Sequence, residues 1–123
     1  MGRMEKINKQ IQREISLILQ RELADPRLQF VTITSAEVSK DLQHAKVTFT
    51  VLGAAKEVEQ AQRSLDGARG IIRKYIGQRI EMRYTPEIFF IYDESVERSA
   101  RIEEKLKEIH DELEKNHLNS KEE

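Results

Sequence analysis

The sequence predicts an α+β domain in which a three-stranded sheet carries helices packed on one face. Three observations lead to this prediction. Apolar residues recur at helical spacing in residues 4–24 and again between Val58 and Tyr75. Residues 45–51 alternate between apolar and polar side chains, as in a half-buried strand. Residues 88–92 form a continuous apolar run of strand length.

Composition limits the class of protein. The chain has 123 residues, 35% of them charged, a net charge of −1 and no cysteine. Disulfides and thiol catalysis are therefore excluded, and a cytoplasmic location is expected. No apolar run approaches the roughly 20 residues of a membrane span, and the N-terminus lacks a signal-peptide core, so no membrane association is expected.

The first helix is predicted over residues 4–24. Its apolar stripe comprises Met4, Ile7, Ile11, Ile15, Ile18 and Leu19. Most of its cations lie off that stripe, and they form a basic edge made of Arg3, Lys6, Lys9 and Arg13. Asp25-Pro26 is expected to end the helix, because the residue before proline is disfavoured in helical geometry.

A β-hairpin is predicted over residues 29–52, with a turn near residues 39–42. Ala45, Val47, Phe49 and Val51 should face the core. His44 belongs to the polar face, where it is expected to be solvated and not a ligand. That face is either wet or covered by another part of the chain.

The third region combines helical periodicity with two glycines inside the pattern. Each of Gly67 and Gly70 should cost about 1 kcal/mol relative to alanine in a helix interior. We therefore predict a helix from about Lys56, a tight break at 67–70, and a further helix to about Ile76. Gly77 is expected to cap its C-terminus.

The remainder of the chain is predicted to hold an extended connection, a strand and a last helix. Residues 88–92 should be a central strand that is buried on both faces. The last helix should begin near residues 93–95 and pack on the domain or extend from it. Its thin apolar stripe comprises Val96, Ile102, Leu106, Ile109 and Leu113. The expected organisation is a domain over 1–95, a charged C-terminal helix over 96–116 and a frayed tail over 117–123.

Positive charge is concentrated around the predicted break. Residues 63–83 carry six cations and two anions, whereas residues 93–123 carry six cations and eleven anions. Backbone N–H groups at a helix start beside arginine favour an anion such as phosphate. The same residues also fit a corner between two helices with a solvated basic face, and residue types alone leave both interpretations open.

Motifs for catalysis and metal binding are missing from the sequence. The three histidines are scattered and no Cys/His cluster exists, so no metal site is expected. No phosphate-binding P-loop and no Gly-x-Ser-x-Gly elbow occur. No pair of carboxylates is placed for acid–base chemistry. The expectation is a protein that is not an enzyme and needs no cofactor.

Several stretches together resemble a known family. They are residues 3–27, Phe30-Val-Thr-Ile33 with Val38 to Leu42, Leu65 to Tyr75, and Arg79 to Ser95. The order of helices, strands and glycines resembles the type II KH domain, an RNA-binding fold whose glycine loop clamps a nucleic-acid backbone. Over nearly the full length, the chain resembles the bacterial ribosome-binding factor A family.

The resemblance implies a fold of order α-β-β-α-(Ala-x-Gly kink)-α-β plus a C-terminal helix. In that family the glycine loop is reduced to an Ala-x-Gly interruption, here Ala68-Arg69-Gly70. Gly67 also completes an ordinary Gly-x-x-Gly pattern, so a kink and a clamp both remain possible. The family's implied role is non-enzymatic. Its members bind the free small (30S) ribosomal subunit, assist late maturation and processing of 16S rRNA, support growth in the cold, and leave before translation.

This interpretation predicts an RNA-binding site, a small-ribosomal-subunit partner, no small-molecule substrate and a monomeric protein. The site residues are Arg63, Gly67, Ala68, Arg69, Gly70, Arg73, Lys74, Arg79 and Arg83, with Arg3, Lys6, Lys9 and Arg13 as a second edge. Charge reversal at Arg69 or Arg73 is expected to abolish binding and leave the fold intact. The alternative is a protein–protein adapter that has a KH-like fold, uses the charged last helix and does not bind RNA directly.

Overall fold

The computed structural model describes residues 2–95 and 104–114. The chain divides after Asp93 into two compact units, which are treated separately. The first unit contains two helices, a 3₁₀ turn and three strands in the order α1 (Arg3–Arg21), 3₁₀ turn (Pro26–Leu28), β1 (Val31–Val38), β2 (His44–Val51), α2 (Ala55–Arg79) and β3 (Glu87–Tyr92). In the second unit, residues 104–114 are helical.

The three strands form one mixed sheet in the order β1-β2-β3. β1 and β2 are antiparallel and pair from Val31 with Val51 to Val38 with Ala45, with one irregularity between Ile33 and Ser35. β2 and β3 are parallel. The predicted hairpin is confirmed, including the inward direction of Ala45, Val47 and Phe49, which are fully buried.

The core lies between this sheet and the two helices. Inward-facing residues of all three strands join the stripes of α1 and α2 in one cluster that includes Ile11, Ile15, Phe49, Leu65 and Ile72. Both helices therefore cover the same face of the sheet, as the sequence predicts. α1 ends at Arg21, before Asp25-Pro26. That pair opens the 3₁₀ turn, in which the Asp25 carboxylate accepts a hydrogen bond from the Arg27 backbone N–H.

The prediction that residues 88–92 form a central strand buried on both faces is wrong. β3 lies at the edge of the sheet beside β2, and its burial alternates. Ile88 and Phe90 point into the core, whereas Phe89 is 37% exposed and Ile91 is 43% exposed. The central strand is β2, which alternates in sequence. A continuous apolar run does not reveal whether a strand has neighbours on both sides, and here the outward positions also carry apolar residues.

The predicted break at Gly67–Gly70 is also not present as an interruption of the helix. α2 is one helix of 25 residues that runs through both glycines and through Gly77, which is therefore not its cap. Its final backbone bond is donated by the Ile80 N–H to the Ile76 carbonyl. Burial of Leu65, Ile72 and Ile76 contributes about 1.5–3 kcal/mol each, which outweighs the glycine penalty of about 1 kcal/mol at each site.

The C-terminal predictions are only partly covered by the described residues. Leu106, Ile109 and Leu113 lie in the helical segment 104–114. Val96, Ile102 and the tail 117–123 lie outside the described residues. The proposed boundaries at 95 and 116 stay predictions.

Side chains of α2 cap the outer edge of β3. Arg69 Nε donates to the Ile88 carbonyl at 2.6 Å, and Gln62 Nε2 donates to the Phe90 carbonyl at 2.9 Å. Just before the strand, Arg73 Nη2 donates to the Thr85 carbonyl at 3.0 Å. Unpaired backbone groups on an edge strand invite pairing with another chain. The α2 side chains occupy these acceptors and fix the helix against the sheet edge.

Replacement of Arg69 by methionine should destabilise the fold. Arg69→Met keeps most of the aliphatic stem but leaves the carbonyl of the buried Ile88 without its donor, which costs about 1–3 kcal/mol. Urea unfolding monitored by circular dichroism measures the change in free energy.

Arg63→Met is the matched control on the same helix. Arg63 is exposed and pairs with Glu59 one turn away, so its replacement should cost at most about 0.5 kcal/mol. Equal stabilities for the two variants would show that the Arg69 bond to β3 does not stabilise the fold.

Candidate nucleic-acid interface

A shallow basic depression of about 520 Å³ lies on the outer side of α2. Positions i, i+3, i+4 and i+7 of a helix share one face, and here they place two glycines and two cations together. The loop between α2 and β3 forms the other wall. The lining residues are Gly70, Arg73, Lys74 and Gly77 from α2, with Arg83, Tyr84 and Thr85 from the loop.

Gly77 explains how closely that loop approaches the helix. A Cβ at this position would lie 3.0 Å from Thr85 Oγ1, which is tighter than ordinary van der Waals contact. The Arg73 guanidinium donates two hydrogen bonds to the backbone carbonyl of the same residue, Thr85. The prediction of Gly77 as a helix cap missed this role. The available signal was its spacing of seven residues from Gly70, on the same helix face.

Arg83 joins the depression to the start of α1. It also lines a smaller hollow of about 270 Å³, together with Arg3, Ile7, Leu42 and Met82, and with Glu81 as its one anion. The structure thereby brings together cations that the sequence pattern assigned to two separate sets. We call Arg3, Arg73, Lys74 and Arg83 the basic strip. All four side chains are exposed.

The other predicted cations of α1 continue this positive surface along the helix. Lys6, Lys9 and Arg13 are exposed on the side of α1 away from the buried Ile11 and Ile15. Their spacing of three to four residues places them in one row. Within the described residues, none of the three forms an ion pair.

Three predicted site arginines are engaged elsewhere in the fold. Arg63 pairs with Glu59 at 2.6 Å. Arg69 pairs with Glu87 at 2.9 Å and stacks over the Phe89 ring at 4.5 Å. Arg79, at the end of α2, lies 2.7 Å from Glu22 and 3.5 Å from Glu14. By contrast, Lys74, Arg83 and Arg3 have no acidic partner in the part of the chain that the structure describes.

The four residues of the glycine motif point in three directions. Gly67 and Gly70 face outward, and a Cβ at either position would meet nothing within 4 Å. Ala68 packs against the core, and Arg69 reaches β3. We call the outward surface at Gly67 and Gly70 the glycine crest. Neither glycine has the positive φ that would exclude other residues. Their absent side chains leave the helix backbone open to close approach by a ligand.

Hydrogen bonds shift the pKa of two carboxylates in the first unit. Hydrogen bonds from Arg27 lower the pKa of Asp25, and a hydrogen bond from the Ser39 hydroxyl lowers the pKa of Asp41. Both shifts favour the ionised carboxylate. Residues 2–95 and 104–114 contain no group of three His, Asp or Glu side chains that could hold a metal ion. No helix among them is long and apolar enough to span a membrane.

The element order, the mixed sheet and the helix pair covering one face define an α+β protein with a type II KH-like fold. The family comparison goes further, because the model of the Ribosome-binding factor A family matches residues 3–106. The chain belongs to the ribosome-binding factor A family.

Relatives and solved structures support this assignment. The ribosome-binding factor A of Halothermothrix orenii is 46% identical over 112 residues, which cover 91% of this chain and 92% of the relative. The crystal structure of ribosome-binding factor A from Thermus thermophilus superposes with a TM-score of 0.67 at 26% identity, covering 75% of this chain and 97% of that one. A homology model of the Thermus thermophilus factor, fitted into a cryo-EM map of a 30S complex, gives a TM-score of 0.60 at 26% identity, with 71% and 91% covered.

Alanine at the glycine crest should stabilise the protein. Gly67→Ala and Gly70→Ala place a methyl group in open space within a helix, which should raise the free energy of unfolding by about 0.5–1 kcal/mol each. Urea unfolding of the single variants measures this change.

Gly77→Ala provides the comparison within α2. Its Cβ would press on Thr85 Oγ1, so the gain in helix propensity should be reduced or reversed. A loss of stability in Gly67→Ala or Gly70→Ala would show that the fold itself requires glycine there, and the crest would then not be an open surface.

Proposed function

We propose that the protein is a non-enzymatic assembly factor that binds the free small ribosomal subunit and contacts 16S rRNA phosphates through the basic strip. It assists late maturation and processing of that RNA in the cytoplasm, including during growth in the cold. The observation that carries the proposal is the position of the basic strip beside the glycine crest. Among the described residues, cations without acidic partners lie next to helix backbone that no side chain covers.

The family supports the partner in this proposal. The homologous Thermus thermophilus factor is described in a complex with the 30S subunit. The present chain shares that factor's fold at a TM-score of 0.60. A shared fold does not require a shared contact surface, and the basic strip is therefore argued from this chain's own residues.

Charge and composition determine the mode of recognition. Lys74, Arg83 and Arg3 can neutralise phosphates without first losing an internal ion pair. Aromatic residues make up only 6% of the chain, so extended base stacking has little support. Shape and phosphate positions of a folded RNA are therefore the main features that the strip can read.

Arg69 and Arg73 need a separate interpretation. Both donate to backbone carbonyls at or near the edge strand β3. The expectation that charge reversal there leaves the fold intact is therefore revised: such variants would disturb the sheet edge as well as any phosphate contact. Lys74 and Arg83 are the better probes of binding.

Removal of Lys74 and Arg83 should weaken subunit binding in a way that depends on salt. Each lost phosphate contact should reduce the slope of log affinity against log salt concentration by roughly 0.7 to 0.9. Lys74→Ala/Arg83→Ala should therefore show a slope smaller by about 1.5 than the wild-type protein. Cosedimentation with free small subunits, large subunits and intact ribosomes over a salt series measures both affinity and selectivity.

Lys46→Ala is the control, because Lys46 is exposed on β2 and lines neither the basic depression nor the hollow beside Asp25 and Ser64. Its slope should match the wild type. An unchanged slope in the double variant would exclude the basic strip as the phosphate site. Salt-insensitive binding by the wild-type protein would favour the protein-adapter alternative, and shortening of isolated 16S rRNA by the pure protein would contradict a non-enzymatic role.

A further inference from the structure

A second hollow lies on the opposite flank of α2 from β3. It has a volume of about 480 Å³ and separates α2 from the chain that follows α1. Ser64, Ala68 and Ile71 line it from α2 at positions i, i+4 and i+7, which form one row on the helix. Leu23 and Asp25 line it from the other side. We call it the Ser64 hollow.

The hollow and the basic strip meet at the glycine crest. Gly67 belongs to the lining of the Ser64 hollow, whereas Gly70 belongs to the basic depression. Residues three apart are neighbours on a helix surface, so the two glycines lie side by side. A strand that crosses the crest meets no side chain at either position. One RNA strand could therefore cross the crest with its phosphates on the basic strip and one of its bases in the Ser64 hollow.

The hollow has one buried polar group that lacks a partner. Ser64 is 8% exposed, and its Oγ makes no hydrogen bond within residues 2–95 and 104–114. Buried polar groups nearly always have a partner, so this hydroxyl is available to a polar group that enters the hollow. The apolar wall contains Ile71, which is 51% exposed although it lies beside half-buried Leu23 and Ala68.

Asp25 supplies a hydrogen-bond acceptor to the hollow. Oδ1 of Asp25 accepts hydrogen bonds from the backbone N–H and the Nε of Arg27. Oδ2 accepts one hydrogen bond from Arg27 Nη2 and can accept one more. These bonds lower the pKa of Asp25, so the group accepts and does not donate at neutral pH. The Ser64 hydroxyl lies close enough to the carboxylate to lower this pKa as well, so an incoming polar edge would meet both groups. Arg27 and Arg63 also line the hollow, and Glu22 at its rim pairs with Arg79, so the lining carries charges of both signs.

We propose that the Ser64 hollow receives one unstacked nucleobase of the RNA whose phosphates lie on the basic strip. A base combines apolar faces for Ile71 and Leu23 with a polar edge for the Ser64 hydroxyl and the Asp25 carboxylate. A purely apolar side chain would leave Ser64 without a partner. Single-stranded RNA presents such bases in loops, bulges and ends. The inference rests on the proposed function and adds base recognition to phosphate binding.

The test uses two substitutions that the fold should tolerate. Ser64→Ala removes a hydroxyl that has no partner, and Ile71→Ser changes a half-exposed side chain. The double variant should bind free small subunits roughly tenfold more weakly, from the loss of one hydrogen bond and apolar contact. Its salt slope should equal that of the wild type, because no phosphate contact is lost. Lys74→Ala is the control, with a reduced slope.

Crosslinking identifies the occupant. The full-length protein with p-benzoylphenylalanine in place of Ile71 is irradiated with free small subunits, and the adducts are digested and analysed by mass spectrometry. A crosslink to a nucleobase of 16S rRNA supports the proposal. A crosslink to a ribosomal protein overturns it, as does unchanged affinity of the double variant. Failure of the wild-type protein to bind small subunits would instead refute the proposed function on which the inference rests.

Discussion

The unbroken burial of one apolar stripe on α2 determines the arrangement of everything around it. Ala61, Leu65, Ile72 and Ile76 are fully buried, and the helix continues through three glycines to keep them so. Once this stripe faces the core, the direction of every other α2 residue is fixed by the helical repeat. One flank turns toward β3, the opposite flank toward the chain after α1, and the back of the helix toward solvent. The candidate interface is built from these three surfaces.

The sequence predicts the local parts of this fold well. α1 and the β1–β2 hairpin follow from patterns within a single stretch of chain, and both are confirmed. The helix break and the central strand fail because each depends on partners elsewhere. The glycine penalty at residues 67 and 70 is offset by burial against the sheet, and the neighbours of β3 depend on how the chain crosses over through α2. The local sequence pattern shows neither the burial of α2 against the sheet nor the position of β3 within it.

The predicted site residues are only partly available for binding, again because their partners lie elsewhere in the chain. The cluster of cations in residues 63–83 is visible in the sequence, but the partners that occupy some of them are distant. Arg69 pairs with Glu87, 18 residues away, and Arg79 pairs with Glu22, 57 residues away. A local charge count treats these arginines like Lys74, which has no ion pair within residues 2–95 or 104–114. Conversely, Arg3 and Arg83 line the same hollow only because the tertiary fold brings them together, and their spacing in the sequence does not predict this.

The glycine crest links stability to function. Natural helices gain stability when an exposed glycine becomes alanine, unless the backbone must be approached closely. At Gly77 the approaching group is internal, because Thr85 occupies the space that a side chain would need. At Gly67 and Gly70 no group of the described fold approaches, so alanine would fit at either position and would remove the cost of about 1 kcal/mol per glycine. The open surface at these two glycines is therefore available to a partner from outside the chain. Since cations lie on one side of the crest and a partnerless buried hydroxyl on the other, a nucleic-acid strand satisfies both sides with one ligand.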